Sequence, residues 1–138
     1  MNQQNAKSRR GATTVELALV LPIIFTLLVG AVDFSRANMI RNTMDNAAFE
    51  AARYATIPGA TSTEISTIAQ DTLAILGIQN ATITVTPSTV TDETPQVSVQ
   101  IDVPLAQNLY ASGPMLSGIT LSESCSLTKE QFAVQTLE

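Results

Sequence analysis

Residues 9–34 read RRGATTVELALVLPIIFTLLVGAVDF. From Leu17 to Val32 no residue is charged, and counted from Ala12 the apolar run is 21 residues long. As a helix at 1.5 Å per residue it reaches about 31 Å, matching a bilayer hydrocarbon core of roughly 30 Å. No water-facing stripe interrupts residues 17–32, so a buried helix of a water-soluble domain fits worst. A secretory signal has only ~7–15 apolar residues before its cleavage site. This run is longer, and Val29-Gly30-Ala31 is a poor small-x-small match. The reading that remains is a membrane-spanning helix over residues 12–32. Pro22 removes one backbone hydrogen bond inside it and predicts a kink, which membrane helices tolerate.

The helical pattern does not stop with the apolar run. Phe34, Ala37, Ile40, Met44, Ala47, Ala48, Ala51 and Ala55 recur at spacings of three or four, with Arg36, Arg41, Asp45 and Glu50 on other faces. Arg41 and Asp45 are an i,i+4 pair. The spacing predicts one helix from near Ala12 to near Thr56, stopped by Ile57-Pro58-Gly59. Its first half would sit in lipid. Its second half, residues 33–57, would project as an amphipathic stem, with Met39, Met44 and Tyr54 as packing residues.

The charge is asymmetric. Lys7, Arg9 and Arg10 precede the run with no acid among residues 1–10, which places that flank in the cytoplasm by the positive-inside rule. After Gly11 there are four basic residues against all twelve acids, a net of −8. An acidic body argues against nucleic-acid binding, which needs clustered Lys and Arg. The chain has no His and no Trp, so imidazole bases, His metal ligands and Ser-His or Cys-His nucleophile pairs are excluded. No phosphate-binding loop or metal-ligand cluster stands out, so no cofactor, no small-molecule substrate and no enzymatic role is expected. The single cysteine, Cys125, reads as a small buried hydrophobe.

Past Pro58 the composition changes. Thr61…Glu64 reads as a capping box, Ile65, Ile68, Ala69, Thr72, Leu73 and Leu76 share a helix face, and Gly77 closes the helix. Three segments then alternate apolar and polar residues: 81–86, 96–103 and 119–127. Clean alternation predicts an antiparallel sheet with one buried and one wet face. Glu123 breaks the pattern on the apolar parity, which calls for a bulge or for a position beyond the covered area. Asn80-Ala81-Thr82 matches a glycosylation pattern by chance, Asp92-Glu93 reads as a solvated loop pair, and Gly113-Pro114 as a turn. The expected fold is α+β: a leader (1–11), a transmembrane helix (12–32), a stem (33–57), and a small domain (58–138) with a short helix and three or four antiparallel strands.

Glu16 sits just inside the apolar run, where burial of a carboxylate is costly. The macrodipole at a helix start offsets only ~0.3–1 kcal/mol. A basic leader ending in Gly11, then Ala12-Thr13-Thr14-Val15-Glu16, then the apolar helix, resembles the class III signal of type IV pilins and pseudopilins. More narrowly, residues 9–56 resemble TadE-like proteins, the pseudopilins of the tight-adherence (Flp pilus) system, and the β-rich remainder to about Leu127 resembles them more loosely. The resemblance is carried by the leader, Gly11, Glu16, Pro22, Asp33-Phe34 and the closing Ala51-Ala52-Arg53-Tyr54. One departure is Leu17, where such chains usually carry an aromatic.

The resemblance implies cleavage by a prepilin peptidase after Gly11, making Ala12 the first residue and Glu16 the fifth. It implies that Glu16 pairs with the N-terminal amine of a neighbouring subunit. It further implies a bacterial inner-membrane location, with other pilins or pseudopilins and inner-membrane assembly proteins as partners. Two other readings compete: an unprocessed single-pass anchor presenting a binding domain, and a secreted protein cut near Ala31. A plain anchor needs neither Gly11 nor Glu16.

Overall fold

The computed structural model describes residues 4–91 and 94–129, with the backbone alone over residues 4–10. The expected Asp92-Glu93 loop pair and the side chains of Lys7, Arg9 and Arg10 lie outside this description. Helix α1 runs Gln4–Ala55, 52 residues without a break. It starts eight residues earlier than expected. Residues 4–10 contain no proline and several good helix formers, and extending an existing helix adds a hydrogen bond per residue without a new nucleus. It ends as expected, where the Thr56 hydroxyl donates to Arg53 O at 2.7 Å ahead of Pro58.

Helix α2 spans Ser62–Ala74. Both halves of its capping box form: Glu64 N–H donates to Thr61 Oγ1 at 3.3 Å and Thr61 N–H to Glu64 Oε2 at 3.1 Å. These bonds favour the Glu64 carboxylate and lower its pKa. At the other end Gly77 takes φ +61°, the left-handed conformation in which a Cβ is strained. Gly77 N–H then reaches Ala74 O at 2.9 Å and Ile78 N–H reaches Leu73 O at 3.3 Å, the two bonds of a Schellman cap.

Strands β1 (Thr82–Thr86), β2 (Gln96–Pro104) and β3 (Thr120–Thr128) form an antiparallel sheet in the order β1-β2-β3, with two single-turn 3-10 helices between β2 and β3. The fold is therefore α+β. Central β2 turns Val97, Val99, Ile101 and Val103 onto the helices, each at most 1% exposed. On the flanking strands Ile83, Val85, Leu121, Cys125 and Leu127 cover the margins of the same core, half-buried. The opposing layer is the stem stripe Ile40, Met44, Ala47, Ala48, Ala51, Ala52 and Ala55 with Ile65, Ala69 and Leu73 of α2. Alanine on this stripe lets the helix backbones approach closely and leaves room for the valines of β2.

Three expectations need correction. Met39 is half exposed and Phe34 is 71% exposed, so the packed stripe begins only near Ile40. The sheet does not reach down to Phe34. Arg41 pairs not with Asp45 but with Glu123, Nε to Oε1 at 2.8 Å. Glu123 is neither at a bulge nor beyond cover: the β2–β3 register is regular from Gln96↔Thr128 to Pro104↔Thr120. It stands opposite Ile101 on the helix-facing side, at the sheet margin where a stem arginine can reach it.

Candidate functional site

The first part of α1 projects away from the packed core among the described residues. Every residue from Gly11 to Val32 is exposed, and the best 18-residue window has mean hydropathy 2.5 with none of it buried. Leu17, Leu19, Leu21, Ile23, Phe25, Leu27 and Leu28 point outward around the whole helix circumference. A surface apolar on all sides requires lipid or other apolar helices around it. The helix is long and apolar enough to span a membrane once.

The expected functional residues are strung along this exposed segment. Pro22 lies within the continuous helix, and its own carbonyl accepts the Thr26 hydroxyl at 2.8 Å. That bond keeps the threonine satisfied without water. Glu16 is exposed beside Thr13, Leu17 and Val20, and no cation lies within ion-pair distance of it among the described residues. Gly11 and Gly30 sit in helical backbone, and a Cβ at either would meet nothing within 4 Å. Glycine weakens a helix interior by roughly 0.8–1.0 kcal/mol relative to alanine. Among the described residues no neighbour calls for glycine at these two places. Among the described residues, Gly11, Ala12, Glu16 and Pro22 are all exposed and none meets a group of the α+β domain.

One functional-looking cluster was not legible beforehand. Directly after the apolar run, Asp33 is 3% exposed and grips a loop nearly eighty residues away. Its Oδ1 accepts Tyr110 N–H at 2.9 Å. Its Oδ2 accepts Ala111 N–H at 3.1 Å, Ser112 N–H at 2.6 Å and the Ser112 hydroxyl at 2.6 Å. Three successive amides aimed at one carboxylate form an anion nest. The Ser112 hydroxyl, then the Ser112 amide and the other two amides, hold the Asp33 pKa down to about 2.

Arg36, one helical turn on, takes the other side of the same junction. Its Nη2 donates to Leu76 O at 2.7 Å and its Nε to Asn108 O at 3.4 Å, with the guanidinium 5.7 Å from the Tyr110 ring centre. Asn108, 5% exposed, accepts Gln79 N–H at 2.8 Å and donates to Gln79 O at 3.0 Å and Pro104 O at 2.8 Å. Gly113 completes the turn: a Cβ there would lie 2.3 Å from Ala106 O. Asp33 and Arg36 stand at i,i+3, a spacing that suggests a mutual salt bridge. Each instead satisfies backbone groups of segments remote in sequence, which no local pattern reveals. The result is a clasp that fixes the end of the apolar segment to the α+β domain.

No curated protein and no solved structure matches the chain. Residues 11–53 match the family described as TadE-like protein, a match that begins at Gly11 and takes in Glu16, the exposed apolar segment, the clasp residues of α1 and most of the stem. Over that segment the chain is similar to TadE-like proteins, and this likeness together with the exposed apolar helix fits a pilus-associated membrane protein.

Proposed function

We propose that the protein is a structural pseudopilin acting in assembly of a Flp-type pilus or related secretion system at the bacterial inner membrane. A prepilin peptidase cuts after Gly11, on the cytoplasmic side where Lys7, Arg9 and Arg10 hold the leader. Ala12 becomes the first residue. Residues 12–32 stay in the membrane, and the stem with the α+β domain of residues 58–138 lies outside the cytoplasm. Glu16 then meets the amine of a neighbouring subunit's new N-terminus. Two charges that are each costly in lipid become tolerable as a pair. The partners are the peptidase, other pilins or pseudopilins and inner-membrane assembly proteins.

The observation that carries this reading is the family match starting at Gly11, joined to the finding that among the described residues a side chain at Gly11 would meet open space and Glu16 has no cation within ion-pair distance. Residues that cost the monomer stability and serve no contact within it are explained by a step outside it. A second reading, an unprocessed anchor presenting the domain, draws on the continuity of α1 from Gln4 through Gly11. Intact mass of the membrane-extracted protein from cells with the matching peptidase separates the two. Loss of residues 1–11 supports the pseudopilin. A retained leader leaves the anchor.

A further inference from the structure

Beyond α1 and its exit at Ile57, the exposed large apolar residues among those described are Ile75 (81%), Tyr110 (72%), Met115 (88%) and Ile119 (47%). Singly placed surface hydrophobes are ordinary, whereas a group gathered in one place marks an interaction surface. These four are gathered. Ile75 precedes Leu76, whose carbonyl holds Arg36. Tyr110 donates its N–H to Asp33. Met115 N–H donates to Ser112 O at 3.0 Å, and Ser112 is itself bound to Asp33. Ile119 O accepts Leu105 N–H at 3.0 Å, next to Pro104, whose carbonyl holds Asn108. The backbone of all four is therefore tied in at or next to the clasp, and Phe34 follows Asp33 on α1.

Charge follows the same geography. Residues 103–122 carry no charged side chain, in a body whose net charge is otherwise −8. The uncharged stretch includes the whole loop that Asp33 grips. That loop is held beside Val32, where the apolar run ends.

We propose that this clasp end of the domain is a foot resting on the bilayer that α1 crosses, with Phe34, Ile75, Tyr110, Met115 and Ile119 in the headgroup region. The inference rests on reading residues 12–32 as a membrane span. Lipid is the occupant because the patch is continuous with that span. A tyrosine beside an uncharged apolar group suits the membrane interface, where aromatic rings collect. The gripped loop carries no carboxylate and Asp33 is itself buried beneath it, which spares an acidic domain the repulsion of anionic headgroups. The foot and the clasp together would hold the stem at a set angle to the membrane instead of leaving it to pivot at residue 33.

The test uses the full chain in vesicles of phosphatidylethanolamine and phosphatidylglycerol. In a Cys125→Ser background, single cysteines replace Met115, Ile75, Ile24 or the distal, exposed Ser88, each carrying a small fluorophore. Quenchers are lipids with a nitroxide on the headgroup or at mid-chain. The expected result is mid-chain quenching at Ile24 and headgroup quenching at Met115 and Ile75 several-fold above that at Ser88. If Ile24 is quenched but Met115 and Ile75 behave like Ser88, the foot is overturned and the span stands. If Ile24 escapes quenching, the span falls and the foot falls with it.

Discussion

The two halves of α1 share one continuous backbone helix and are both rich in apolar residues, yet their burial is opposite. Residues 11–32 are exposed throughout, whereas Ile40, Met44, Ala47, Ala48, Ala51, Ala52 and Ala55 are at most 1% exposed. The difference lies in side-chain size and arrangement. In the first half, large aliphatic residues surround the helix and leave no polar face. In the second, small residues form a single stripe with polar residues opposite, and α2 and β2 can come close to it. Helix formation is a local matter that both halves satisfy. Burial depends on whether another element can be placed against the helix, and only the second half lies within reach of the sheet. The clasp of Asp33 and Arg36 marks the border.

Substitutions on either side of the border test this contrast. The largest expected effect is at Gly11. Gly11→Leu should abolish processing, read as an intact leader by mass, while helicity is unchanged because a side chain there meets open space. A normally processed variant would refute the proposed role. Glu16→Ala should come next, leaving membrane insertion intact but impairing recovery of the assembled complex or pilus. Undiminished assembly would count against the amine pairing.

Within the fold, Met44→Ala removes a fully buried side chain and should cost about 2–5 kcal/mol. Leu27→Ala, 69% exposed in the other half, should change domain stability by less than about 0.5 kcal/mol. Denaturant melts of the detergent-solubilised protein compare the two, and similar losses would dissolve the distinction between the halves.

A smaller, pH-dependent effect is expected at the border. The folded-state pKa of Asp33 is lowered to about 2 from an ordinary 3.8, so its contribution is complete above the ordinary value and is lost as pH falls through about 2. The lowered Glu64 pKa acts in the same direction. Asp33→Asn should speed amide exchange at residues 110–112 at neutral pH and flatten the acid dependence of that exchange. Unchanged exchange would show that the nest does not hold the loop. The smallest effect is at the stem surface: Arg41→Ala should cost about 0–1 kcal/mol, since its guanidinium is largely solvated. A double-mutant cycle with Glu123→Gln measures it.

Much of the fold was legible because it is written in periodicity and capping. The α2 capping box, the Gly77 stop and all three strands follow from residues near one another in the chain. Glu123 shows where that reasoning ends. Its parity follows from the alternation, but its cause is an arginine 82 positions away. The candidate site divides in the same manner. Gly11 and Glu16 are visible as a spaced pair at the start of an apolar run, whereas Asp33 stands out only as one acid beside a phenylalanine.

Local residue patterns were enough to specify one long helix, a first half apolar on every side, and a one-sided antiparallel sheet after it. Each is a consequence of local hydrogen bonding and of the side-chain repeat along a helix or strand. The tertiary structure alone decided where the packed stripe begins, which partner Arg41 takes, and that Asp33 and Arg36 tie loop 108–112 and the end of α2 to the close of the apolar segment. Those outcomes depend on which backbone donors and carbonyls arrive from distant parts of the chain, and a carboxylate or guanidinium binds whichever of them the completed core sets beside it.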